Sequence, residues 1–340
     1  MRKSYLIVLA ATALVGCSKS EITIVDSDNV KIAVNASEIA TRAPFEGTIS
    51  IANQLKARVI ADNMQNFVGE STANGTMTFN SIDAVSYDIE TTDGTTYFSG
   101  ASPVYLFGLY PEGWTYLNDG KANFTFTGKE DVMATNRIET RRTDVESSNY
   151  KTLDFQHLLT KLEVKLFASA AAINLFGNIK AIKLVGNISG GGNVTNQIEV
   201  ANNSSAYTDP LVVASKGTTA SLDFYGLSLD VLDDNKLYTD VAVSDYTLTT
   251  IRDYVGYSMV APVNATAAAN EYFLAITTAN KGIKYIGIDL KAVGGSDFTG
   301  NTAGHSFLIS IHFKSNNDIM VDVTVDDWDE QGEFQGEIAD

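Results

Sequence analysis

Cys17 is the single thiol in 340 residues, and its setting assigns it one chemistry. Arg2 and Lys3 precede an apolar run from Tyr5 to Val15. At about 11 residues that run is too short for a hydrocarbon core, which needs roughly 20. Leu14-Val15-Gly16-Cys17 closes it, the pattern of a bacterial lipoprotein signal, so residues 1–16 are read as a signal peptide. In such signals the sulfur takes a diacylglycerol, cleavage falls just before the cysteine, and the new N-terminus takes a further acyl chain such as palmitate. Two or more chains hold a protein stably at a membrane where one does not. With no second cysteine, disulfides, thiolate metal cages and a free catalytic thiol are all excluded.

The remaining chemistry-bearing residues form no catalytic pattern. His157, His305 and His312 are the only histidines, and no two stand four apart as a helical zinc pair would. His312 alternates within a strand pattern, which predicts a cross-strand polar contact. There is no G-x-S-x-G nucleophile elbow. Gly190-Gly191-Gly192 lacks the Lys-Ser/Thr ending of a phosphate loop and is expected to be a hairpin turn. From Asp327, the positions of a calcium loop would be Asp327, Asp329 and Gln331 with Gly332 at the turn. The position needing a bidentate Glu is Ile338, so a solvated strand end is the better reading. A carboxylate pair for glycoside cleavage could be drawn from 41 acidic residues almost at will, which makes it uninformative. No catalytic residue, metal or cofactor is expected, and the chain is read as non-enzymatic.

Elements that would position these residues are mostly strands. Ile319, Val321, Val323 and Val325 alternate with Met320, Asp322, Thr324 and Asp326, and Phe307, Ile309, Ile311 and Phe313 repeat the period. Leu162, Val164 and Leu166 alternate with Lys161, Glu163 and Lys165. Ile286, Ile288 and Leu290 follow the same rule, as do Val104, Leu106 and Tyr110. Short helices are expected only within 53–63 and 167–176. Many short strands joined by Gly, Asn and Asp turns predict an all-β chain of antiparallel sandwiches. The chain exceeds the size one core usually serves, so two domains are expected, 43–148 and 149–340, divided at the charged stretch Glu139 to Lys151. Ahead of them, Ile22 and Ile24, then Val30, Ile32 and Val34, alternate as an extended strand. The formal net charge is −17, and the signal carries two of the basic residues and none of the acidic ones. Such a surface repels nucleic acid, which is excluded as a partner.

Taken together, the lipobox at Cys17, Thr41-Arg42-Ala43, Tyr105 to Pro111, Phe155-Gln156-His157-Leu158-Leu159-Thr160-Lys161-Leu162 and Val323 to Trp328 resemble the fimbrillin family. Its members are subunits, tips and anchors of type V pili in Gram-negative anaerobes. The resemblance covers nearly the whole chain and implies two transthyretin-like β-sandwich domains. It implies a lipidated precursor at the outer membrane, cut between Arg42 and Ala43, with 17–42 as a propeptide whose plug strand contains Ile22, Ile24, Val30, Ile32 and Val34. It also implies head-to-tail partners, other pilus subunits, joined by strand exchange at the cell surface in a fimbrium. Removing a strand opens two edges and a strip of core, which an incoming strand can restore. Past Trp328 only Phe334 and Ile338 are large and apolar, a thin donor strand. That favours a tip or accessory subunit serving adhesion to a host or glycan ligand.

The alternative is a surface glycan-binding lipoprotein. It would present aromatic rings to sugars, with Trp114, Tyr116, Tyr254, Tyr257 and Trp328 as candidates.

Overall fold

The computed structural model describes residues 33–38, 58–62, 74–79, 87–91, 103–111, 113–116, 121–186, 192–201, 212–229, 236–263, 272–288, 290, 302–316 and 318–327. Strands dominate these residues, with two short helices. The strands of the first part are β1 (Ala33–Glu38), β2 (Arg58–Asp62), β3 (Asn74–Phe79), β4 (Tyr87–Thr91), β5 (Val104–Tyr110), β6 (Thr115–Tyr116), β7 (Lys121–Thr125), β8 (Met133–Thr135), β9 (Ile138–Thr140) and β10 (Thr152–His157). Eight of them form one sheet in the order β2-β3-β4-β1-β10-β8-β5-β9, and β2 also pairs with β5. The order therefore returns on itself, and seven strands share a closed ladder.

A strand replaces one expected helix. Residues 58–62 lie inside the window 53–63, yet they form β2, hydrogen-bonded to β3 on one side and β5 on the other. Val59 and Ile60 are β-branched, and pairing on both edges overrides a weak helical preference. β10 shows the expected period of two, with Leu153, Phe155 and His157 buried between exposed neighbours. β5 is buried throughout Leu106–Leu109. At its middle, a Cβ on Gly108 would stand 2.5 Å from the ring of Phe155, so only glycine lets that ring lie against the strand.

The second part contains β11 (Thr160–Ala168), β12 (Ile179–Gly186), β13 (Gln197–Ala201), β14 (Val212–Lys216), β15 (Leu222–Asp223), β16 (Tyr225–Leu229), β17 (Lys236–Ala242), β18 (Asp253–Val260), β19 (Tyr272–Thr278), β20 (Gly282–Ile288), β21 (His305–Phe313) and β22 (Ile319–Asp327). They make a six-stranded sheet, β17-β16-β18-β11-β21-β22, and a four-stranded one, β15-β12-β19-β20. One hydrophobic cluster joins Leu162, Val164 and Leu166 to Ile182, Leu184, Leu274 and Ile276, and runs on to Phe107 and Leu109 of the first sheet. Helix α1 (Arg142–Glu146) lies in the charged stretch, where Asp144 accepts from the Arg141 amide at 2.9 Å. Helix α2 (Ala170–Phe176) falls inside its expected window; Ser169 caps it by accepting from Ala172 N, and Gly177 ends it at φ +67°.

The boundary expected near 148 is crossed by hydrogen bonds in both directions. β10, beyond it, pairs with β8 and β1, while β7, before it, pairs with β13 in a four-stranded sheet ordered β14-β13-β7-β6. The crossing is pinned by the turn after β10. Leu158 N donates to Val132 O at 2.8 Å, Gly304 N to Leu159 O at 2.8 Å, and Thr160 Oγ1 bonds Thr302 at 2.7 Å. The stretch 155–162 thus serves as the hinge-pin between sheets.

Candidate assembly interface

β1 is the part of the N-terminal extended segment that falls within the described residues. It lies between two strands far apart in sequence. Along one edge it runs parallel to β10, with Asn35, Ala36, Ser37 and Glu38 opposite Thr152, Leu153, Asp154 and Phe155. Along the other it is antiparallel to β4, with Ala33 opposite Asp88 and Val34 opposite Tyr87. Taking β1 away would break the ring at one place and leave two facing edges. Unpaired edges of this kind are templates for another strand. The slot would keep its shape on the β10 side, because β10 is also bonded to β8 through Phe155, Gln156 and His157 and continues directly into β11.

Of the residues expected in this site, Val34 is in β1. Cys17, Ile22, Ile24, Val30, Ile32, Arg42 and Ala43 lie outside the described residues. In sequence, Arg42 follows the last residue of β1, Glu38, by one short stretch. At the other end of the chain, β22 is an edge strand, paired along its length with β21 from Phe313–Ile319 to His305–Asp327. Ile319 and Val321 pack on the core. Asp327 is the last residue of β22; Asp329, Gln331, Gly332 and Ile338 lie outside the described residues.

Two features of the interior were not predicted. The charged face of Lys161, Glu163 and Lys165 is buried, with Lys161 and Glu163 each 1% exposed. β17 supplies the reason. Lys236 Nζ lies 2.7 Å from Glu163 Oε2, Tyr238 donates its phenol to Glu163 Oε1 at 2.8 Å, and Lys161 Nζ stands 3.2 Å from the same carboxylate. Burial pushes Glu163 up, but the two lysines and the donated hydrogen bonds outweigh it and hold the carboxyl below its ordinary range. The second is Asp131–His157, with Oδ1 2.7 Å from Nδ1 and both side chains buried. In the tautomer that carries its proton on Nδ1, His157 donates and the Asp131 carboxyl accepts. No local spacing announces this pair, since its members are 26 residues apart.

His312 departs from its expected polar contact. It stands opposite Phe167 in the parallel β11–β21 ladder and stacks on that ring at 4.2 Å and 16°. Burial, then Lys314 and Arg252, pushes its imidazole below the usual histidine range. Three of the five aromatic candidates for sugar stacking are also corrected. Trp114 is 4% exposed and packs on Phe124, Tyr257 is 2% exposed, and Tyr254 lies under Lys165 at 4.1 Å and Lys236 at 5.1 Å. Rings filling a core follow from the area they bury. Tyr116 lies in β6, and Trp328 is outside the described residues. Among the described residues, no group of three His, Cys, Asp or Glu is placed to hold a metal, and no helix is long and apolar enough to cross a membrane.

The fimbrillin-like family model matches residues 41–328. No curated protein matches the chain. Among solved structures, a protein from Bacteroides uniformis assigned to cell adhesion superposes with a TM-score of 0.50 at 16% identity, covering 88% of this chain and 98% of its own. One from Bacteroides ovatus, also assigned to cell adhesion, gives 0.48 at 12% identity over 89% and 100%. A fimbrial protein from Bacteroides vulgatus gives 0.44 at 13% identity over 87% and 99%. The family match spans most of the sequence, from the threonine before Arg42 to Trp328: this chain belongs to the fimbrillin-like family.

Proposed function

We propose that the chain is a non-enzymatic fimbrial subunit serving adhesion, of tip or accessory type, assembled by strand exchange after removal of its N-terminal strand. The precursor is held at the outer membrane through lipid on Cys17 and cut at Arg42–Ala43. Its domains are two transthyretin-like sandwiches divided near residue 148, the first completed by β10 and the second extended by β7. The observation that carries this reading is the seat of β1 between β4 and β10, in a segment that ends just before an arginine. A bond after Arg42 suits a trypsin-like enzyme, since Pro44 stands one place beyond the position that would block it. Once β1 leaves, β4 and β10 offer hydrogen bonds that only another strand can satisfy in full, and β-augmentation supplies them. Donor and acceptor surfaces differ, so the contact is head-to-tail and builds an open filament.

Arg42→Ala tests this. The variant is expected to fold, remain uncut and stay monomeric when treated with an Arg-specific protease, whereas the parent polymerises, as read by size-exclusion chromatography and electron microscopy. Normal entry of the variant into filaments overturns the proposal. Deleting 333–340 addresses position in the filament: a subunit that still folds and still seats in its neighbour, with growth beyond it unchanged, fits a tip, and loss of growth marks a shaft subunit.

A further inference from the structure

A cleft of about 640 Å³ opens where the end of β5, the β7–β8 connection and the β17–β18 face meet. Its walls carry Tyr110, Glu130, Asp131, Tyr238, Asp240 and Tyr257. That volume suits one side chain or a small ligand. Three carboxylates face one cation, Lys129, so the cleft is net negative. We propose that it binds a cationic side chain, a lysine ammonium or an arginine guanidinium, presented by a partner protein.

Three observations carry this. Asp131 is 3% exposed, and while Oδ1 bonds His157, Oδ2 has no hydrogen-bond partner. A buried, unsatisfied carboxylate oxygen is costly, and a donor from outside relieves that cost. The carboxylates are set in place beforehand: Glu130 accepts from Thr127 N at 2.7 Å and from Thr127 Oγ1 at 2.9 Å, and Asp131 is held by His157. Preorganised acceptors lose little entropy on binding. The rings are fixed too. Tyr238 spends its phenol on Glu163 and meets Tyr257 edge to face at 4.9 Å and 88°. Rings in this sheet attract cations: Lys161 stands over Tyr238 at 5.8 Å, and Lys165 and Lys236 over Tyr254. Burial first, then the charges of Glu130 and Asp240 with Tyr225, pushes the Tyr257 phenol up, so the wall of the cleft lies in a negative field. A neutral sugar would gain nothing from that field.

This deepens the adhesive reading and rests on it for its biological meaning. Its test is run on monomer, so failure here leaves strand exchange standing, and failure to polymerise leaves the cleft standing. The full chain is titrated at low salt with N-acetyl-lysine methylamide and N-acetyl-arginine methylamide, using calorimetry. Neutral N-acetyl-citrulline methylamide and N-acetylglucosamine serve as comparators. Saturable binding of at least one cation is expected, weakened by added salt. Asp240→Asn, at an exposed position, is expected to weaken it by about 10-fold, the scale of one charge-assisted hydrogen bond, with melting temperature unchanged. Asp131→Asn, which keeps an acceptor for His157, is expected to weaken binding as well, with folding checked by circular dichroism. Equal binding of citrulline, binding of the sugar alone, no saturable binding of either cation, or no effect of either variant overturns the proposal.

Discussion

At the scale of the residue, Glu163 shows how far the fold departs from simple alternation. Its neighbours Leu162 and Val164 face the core as their spacing predicts, but Glu163 is buried as well, because Lys236 and Tyr238 arrive from β17, 73 and 75 residues away. Removing the charge leaves Lys161 and Lys236 beside a neutral amide. Breaking a buried pair in this way costs about 3–5 kcal/mol. Glu163→Gln is therefore expected to lower stability by that amount near neutral pH, measured by denaturant unfolding. The sign with pH follows from the lowered carboxyl. Its stabilisation is fully present above 4.5, the ordinary value, and is lost as pH falls through the lower folded value. The gap between parent and variant should close in acid; a gap constant down to pH 3 would remove Glu163 from the account.

At the scale of the element, Gly108 ties β5 to β10, the strand that flanks β1. A methyl group there would meet the Phe155 ring at 2.5 Å and 2.8 Å and Thr135 Cγ2 at 3.0 Å. Overpacking of a filled core costs about 1–3 kcal/mol. Gly108→Ala is expected to destabilise by that much and to loosen β1 in particular, because Phe155 stands opposite Glu38. Limited proteolysis at Arg42 should speed up while melting falls by a few degrees; an unchanged cleavage rate would uncouple the two strands. Many elements were legible from sequence. Phe307, Ile309, Ile311 and Phe313 are all fully buried, as a period of two demands, and α2 lies within its window. What failed was non-local. The exception is α1, which formed in a charged stretch through local contacts, the Arg141–Asp144 cap and an Arg142–Glu146 pair at 2.7 Å. The stretch 58–62 became a strand through partners at 74–76 and 105–109. The cleft was illegible for the same reason, since its walls come from four separate segments.

At the scale of the whole molecule, the closed order of the first sheet is what the proposed strand exchange rests on. A ring that includes β1 has no open edge beside β10; a ring without it has two. Exposed edges and apolar surface invite aggregation, so under the proposed mechanism a precursor that carries its own strand would stay monomeric until cut. The net charge of −17 would work in the same direction, through repulsion between copies of the chain. On this proposal, assembly would depend on cleavage and on an incoming strand of the right register, rather than on concentration alone.

The most direct measurement of this claim is hydrogen exchange at the backbone amides of 152–155, followed by mass spectrometry in three states. In the intact precursor these amides lie along β1 and should be protected. After cutting at Arg42 and release of the N-terminal segment, monomers should exchange fast there. In filaments protection should return, with the segment 18–42 absent from the washed material. Filaments whose 152–155 amides stay unprotected, or filaments that still hold their own 18–42 segment, would contradict assembly by strand exchange.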